Sequence, residues 1–81
     1  MIEVIKNIIV ENLDINIDYE DFDEKTPLFD GGISMDSIVF TEFILLLEKK
    51  FDLEFNDDEL TVENFFNVNK ISDEIKRKLS K

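Results

Sequence analysis

Ser37 is the residue whose type and position best suit chemistry. Its hydroxyl stands in the stretch Gly31-Gly32-Ile33-Ser34-Met35-Asp36-Ser37-Ile38, with the apolar run Val39 to Phe51 behind it. Two glycines supply a turn, and Asp36 and Ser37 sit where a helix should begin. A loop that delivers one hydroxyl to the start of a helix is a place for chemistry. It is equally a place for an ordinary N-cap, since Asp and Ser both cap helices well.

The remaining inventory narrows what that hydroxyl can do. The chain has no cysteine, so disulfides, thiolate metal sites and a protein-borne thiol nucleophile are excluded. It has no histidine, which removes the usual general base and the commonest transition-metal ligand. No catalytic triad or zinc site can be assembled, and the expectation is a protein that is not an enzyme. Lys+Arg 9 against Asp+Glu 20 leaves a formal net charge of −11. Such a surface repels nucleic acid and anionic membranes, whose binding needs Lys and Arg, and it favours partners with basic surfaces. The segment Met1 to Leu13 is broken by Glu3, Lys6, Asn7, Glu11 and Asn12, so it reads as neither a signal peptide nor a membrane span. The default compartment is the cytoplasm.

Length and periodicity describe the elements that must position Ser37. At 81 residues, 43% of them hydrophobic, the chain supports one domain with a single core. Ile2, Ile5, Ile8, Ile9 and Leu13 recur at helical spacing and predict a first helix from about Ile2 to Leu13. Asp14 to Asp30 is a long acidic connection expected to lie across the bundle, pinned by Phe22, Leu28 and Phe29; loops of this length are often functional. Its acidic residues Asp18, Glu20, Asp21, Asp23 and Glu24 lack the ligand offsets, central Gly and closing Glu of a calcium loop. Ser37 to Phe51 is the second helix. Steps of about 100° put Phe40, Phe43, Ile44, Leu47 and Phe51 on the core face. Ile38, Thr41 and Leu45 fall on the other side of Ser37, bordered by Glu42, Glu48 and Lys49. Periodicity leaves open whether this small apolar patch is exposed or covered by the acidic loop. Leu53 and Phe55 anchor a polar connection. Thr61 is expected to cap a short third helix through Phe66, and Asn69 a final helix with the stripe Ile71, Ile75 and Leu79. Four helices result.

A small acidic helical bundle, with Leu28-Phe29-x-Gly-Gly-Ile-x-x-Asp36-Ser37-Ile38 opening helix two and Phe65-Phe66 and Ile71 downstream, resembles the acyl and peptidyl carrier protein family. The resemblance covers essentially the whole chain. It implies an all-α, four-helix carrier bundle with a long first loop and a short third helix, acting as a monomer. It implies that Ser37 carries 4′-phosphopantetheine, added from coenzyme A by a phosphopantetheinyl transferase, and that Asp36 supports Ser37. Acyl groups held as thioesters on that arm would be presented to loading ligases and synthases with basic docking patches, through Ile38, Thr41, Glu42, Leu45 and Glu48. The physical chemistry agrees. A phosphodiester at a helix N-terminus meets unpaired N–H groups and the positive dipole end. The missing cysteine is no obstacle when the thiol arrives with the cofactor.

Some positions depart from the family pattern. Ile38 stands where Leu or Met is usual, Val39 where many fatty-acid carriers have an acidic residue, and Lys49 and Lys50 reduce the acidity of helix two. The expected role is a discrete carrier in fatty-acid, polyketide or related biosynthesis. The run Asn69-Lys70-Ile71 and the aromatic third helix are similar to D-alanyl carrier proteins, so a D-alanyl or aminoacyl carrier is the alternative. An unmodified helical interaction domain, with Ser37 only an N-cap, is a further one. The core between Phe40, Ile44 and Leu47 would either admit an acyl chain or be filled by aromatic rings.

Overall fold

The computed structural model describes residues 1–13, 15, 17–29, 33 and 35–80. The expected turn at Gly31 and Gly32 lies outside the described residues, as do Asp14, Asn16, Asp30, Ser34 and Lys81. The described residues form three α-helices: α1 (Ile2–Asn12), α2 (Ser37–Phe51) and α3 (Val68–Leu79). Two short 3₁₀ turns, Tyr19–Asp21 and Asp57–Glu59, sit in the connections. No strand occurs among the described residues.

α1 packs against both α2 and α3. It buries Ile5, Ile8 and Ile9, with Leu13 just beyond its end, as the 3.6-residue period requires. β-branched residues are mediocre helix formers, so tertiary burial rather than propensity holds α1. Phe43, Ile44 and Leu47 of α2 and Val68, Ile71 and Ile75 of α3 belong to the same core. Phe40 and Phe51, expected on the α2 core face, are only partly buried. α2 stops at Asp52, which adopts the left-handed conformation (φ 53°) and donates its N–H to Glu48 O. Aspartate tolerates that region better than most residues.

The long connection is pinned as expected: Phe22 and Leu28 are buried and Phe29 packs partly against the core. A further anchor is Lys6. It is buried on α1, with Nζ 4.1 Å from the Tyr19 ring centroid and 4.9 Å from that of Phe22. The apolar stem is buried while the ammonium faces two aromatic π-clouds, which fastens the connection to α1.

Two expectations fail after α2. The short third helix from Thr61 to Phe66 is a run of turns instead. Thr61 does cap it, accepting the Asn64 N–H at 3.2 Å on Oγ1, and Phe65 N reaches Thr61 O at 3.1 Å. The turn does not propagate because Asn64 Nδ2 bonds back to Glu59 O, Phe66 O is taken by Leu28 N at 2.9 Å, and Asn67 is fully extended. The last helix is capped by Asn67, whose Oδ1 accepts from Lys70 N at 2.9 Å, and not by Asn69. Asn69 lies inside α3, where its N–H donates to Glu24 O at 3.0 Å. The earlier start adds Val68 to the buried face, which also holds Ser72, while Leu79, expected in the stripe, is exposed.

Residues 53–60 are tied to α3 by Glu59, which bridges to Lys78 (2.8 Å) and Arg77 (3.2 Å). The Asn56 N–H, then the Lys78 ammonium, hold the Glu59 carboxyl below the usual carboxylate range. Ser72 is only 2% exposed and its hydroxyl has no partner among the described residues. An unmade buried hydrogen bond is costly, and alanine is the better helix former. Ser72→Ala should therefore raise stability by about 1 kcal/mol in chemical denaturation; a loss of stability would show that the hydroxyl is bonded.

Candidate functional site

The candidate site is the start of α2. Asp36 is the N-cap: its backbone is extended and its Oδ1 accepts the Val39 N–H at 2.8 Å, while Phe40 N closes the first helical turn on Asp36 O at 2.8 Å. Ser37 is therefore the first helical residue. It is exposed to solvent. Its amide and that of Ile38 precede the first intrahelical bond, and such amides bind anions.

What holds this turn in place lies upstream and across the molecule. Met35 is buried and donates its N–H to Leu28 O at 2.9 Å; Ile33 N does the same to Pro27 O at 3.0 Å. Leu28 is fully buried and its own N–H goes to Phe66 O. A backbone ladder thus links residue 66, through Leu28 and Met35, to the residue preceding Asp36. Sequence reasoning found Leu28 as an anchor, but it missed these pairings because backbone bonds leave no side-chain signature.

The cap is testable. Asp36→Ala should cost about 0.5–2 kcal/mol of stability, and Asp36→Asn much less, because both Asp and Asn accept from the helix amides. Equal losses in denaturant titrations would mean that the carboxylate acts through its charge alone.

The surrounding residues separate into two groups. Ile38 (79% exposed) and Leu45 (58%) are open to solvent, with exposed Thr41 on the same face at helical spacing. The acidic connection does not cover them. Thr41 donates its hydroxyl to Ser37 O at 2.8 Å. Glu42 is exposed on the rim. Glu48 differs: it is partly buried and its Oε2 accepts the Phe55 N–H at 2.9 Å, so it holds residues 53–55 against α2.

This arrangement fits a phosphodiester on Ser37. Ser37 is exposed at the N-terminal, positive end of the α2 dipole, and the Asp36 carboxylate is turned into its own cap bond. Of the other serines, Ser72 is buried, and Ser80 lies at the carbonyl end of α3 with its Oγ donating to Arg77 O at 3.1 Å. That is the negative end of a helix, where an added phosphate is disfavoured. Among the described residues no group of His, Cys, Asp or Glu is arranged to hold a metal ion, and no helix is long and apolar enough to cross a membrane.

No curated protein matches the chain. The family model for the phosphopantetheine attachment site matches residues 3–75, a span that includes every candidate site residue. Domains of this family are carriers that work with a phosphopantetheinyl transferase and with biosynthetic enzymes. The chain belongs to the phosphopantetheine-attachment family, whose members bear a covalently attached 4′-phosphopantetheine group.

Proposed function

We propose that Ser37 is the attachment residue and that the chain presents acyl groups to partner enzymes without catalysing a reaction itself. The observation that carries this reading is the exposed serine at the first position of α2, capped by Asp36, inside the span that matches the family. In attachment, the Ser37 Oγ forms a new bond to the pantetheine-bearing phosphorus of coenzyme A. The pyrophosphate linkage breaks, the adenosine bisphosphate half leaves, and the transferase takes the hydroxyl proton. Once attached, the group supplies a thiol that holds acyl cargo as a thioester. The test is intact mass after incubation of the purified protein with coenzyme A and a promiscuous transferase. A single phosphopantetheine adduct is expected; its absence under conditions that modify a control carrier overturns the reading.

Partner enzymes dock on the face of Ile38, Thr41 and Leu45, with Glu42 as the electrostatic guide. Glu42 is the cleaner probe of that rim, because Glu48 also bonds Phe55. Glu42→Lys should slow modification by roughly three- to tenfold at low ionic strength, and by less as salt screens the pair. A rate ratio that does not change with salt would remove Glu42 from the docking face.

A further inference from the structure

Between α2 and α3 the chain runs as a strap, residues 53–66, whose one helical element is the 3₁₀ turn Asp57–Glu59. The helices do not depend on this strap to stay together, because α1 packs directly on both α2 and α3. A segment that bridges two elements already held by a third can open by itself, at a lower cost than unfolding the chain. The later half of the strap is set in the core: Phe65 is fully buried, and Phe66 O accepts the Leu28 N–H. Its earlier half, residues 53–60, has few attachments. The Phe55 ring ends a series of edge-to-face rings: its centroid lies 5.2 Å from that of Phe65, which is 5.5 Å from Phe40, itself 5.4 Å from Phe29. On α2, Glu48 holds the Leu53 and Phe55 amides through its main-chain oxygen and its carboxylate.

Among the described residues, every polar attachment of residues 53–60 to α3 runs through Glu59. Its Oε1 meets Lys78 Nζ at 2.8 Å and accepts the Asn56 N–H at 2.7 Å, while its Oε2 meets Arg77 at 3.2 Å. The Glu59 and Lys78 side chains are largely buried, so salt screens this pair less than a surface pair. The same ammonium lies 5.4 Å from the Phe55 ring centroid, so one cation holds both ends of the segment. Movement of residues 53–60 separates the walls of a groove of about 270 Å³, to which α2 contributes Phe40, Ile44 and Leu45, and the strap Phe55 and Leu60.

We propose that residues 53–60 are a lid that opens while the three helices stay packed, latched to α3 by Glu59 on Lys78 and Arg77, and that this latch governs the width of the groove. Such a lid works in the same way whether or not Ser37 carries a group. Native-state hydrogen exchange on the unmodified full chain, followed amide by amide in rising urea, tests it. The Phe55 and Leu60 amides report the lid, because neither bonds the Glu59 side chain, and the Ile44 and Ile75 amides report the helices. The lid amides should exchange at least tenfold faster than the helix amides and respond little to urea, since a local opening exposes little surface. Ile9→Val, in α1, should speed the helix amides by about two- to twelvefold and leave the lid amides unchanged, because the lid opens with α1 still packed. Glu59→Gln should speed the lid amides by about tenfold or more, through weakened bonds to charged partners. Lys78→Met, which keeps an apolar stem against Phe55, should act in the same direction. Lid amides that share the helix rate and urea slope, or that follow Ile9→Val, would show that residues 53–60 open only with the whole chain and would overturn the proposal. Lid amides unmoved by both Glu59→Gln and Lys78→Met would remove the latch from Glu59.

Discussion

Ser37→Ala is expected to abolish phosphopantetheine attachment completely, leaving a protein that folds and melts like the parent. The size of this effect follows from chemistry, because no other side chain at the start of α2 offers an oxygen nucleophile in the same place. Thr41 is the nearest hydroxyl on that face, and it is committed to Ser37 O. Ser72 and Ser80 are removed by burial and by position at the wrong end of α3. Ser34, outside the described residues, needs its own control, and Ser34→Ala should leave the adduct intact. The two variants together make a clean test, read by intact mass with coenzyme A and transferase in excess. An adduct that persists in Ser37→Ala and disappears in Ser34→Ala would move the site three residues along the sequence and leave the family assignment untouched. Because Ser37 is exposed and Asp36 supplies the cap, alanine at 37 should change stability by only a few tenths of a kcal/mol. A failure of modification can then be assigned to the missing hydroxyl and not to unfolding.

Phe65→Ala should be the most damaging substitution for the fold. Phe65 is completely buried and touches both Phe40 and Phe55 edge to face. Removing a buried phenylalanine ring costs about 3–5 kcal/mol, as lost transfer energy plus the cavity left behind. At about 0.05–0.15 kcal/mol per residue, a chain of 81 residues has roughly 4–12 kcal/mol in total, so the variant should lose from about a quarter to all of its stability. Its neighbour provides the control. Phe66 is 43% exposed, and although its backbone carbonyl holds Leu28, its ring does not fill the core. Phe66→Ala should cost about 1 kcal/mol or less, since the carbonyl survives the substitution. Comparable losses for the two variants in urea titration would mean that the ring series is not the centre of packing.

This contrast marks where sequence periodicity stops being informative. In α2, fifteen residues repeat an apolar face, and both ends of the helix and the buried centre of its stripe, Phe43, Ile44 and Leu47, are legible because 3.6-residue periodicity reports which side faces the core. Phe65-Phe66 offers no period. Two adjacent identical residues outside a regular helix cannot be assigned to inside and outside by pattern, and the expected third helix failed at that point. The cap of α3 failed for a related reason. Asn67 and Asn69 are both good caps, and the choice is made by tertiary bonds: Asn67 Nδ2 reaches Lys25 O at 3.5 Å, and Asn69 N reaches Glu24 O. These partners are more than forty residues away in sequence, so no local signal encodes them.

The same division runs through the site. The residue types and their order determined by themselves that an Asp-Ser pair opens a long helix, that neither cysteine nor histidine is available, and that the chain is strongly acidic. Those features depend only on local backbone preference and on inventory. Tertiary structure decided that Ile38 and Leu45 are uncovered, that Glu48 bonds the Phe55 amide, and that Met35 and Leu28 hold the loop before Ser37. It also decided that four phenylalanines, scattered from residue 29 to residue 65, converge into one ring series. Exposure, backbone pairing and ring geometry belong to segments distant in sequence meeting in space, and only the packed chain brings them together.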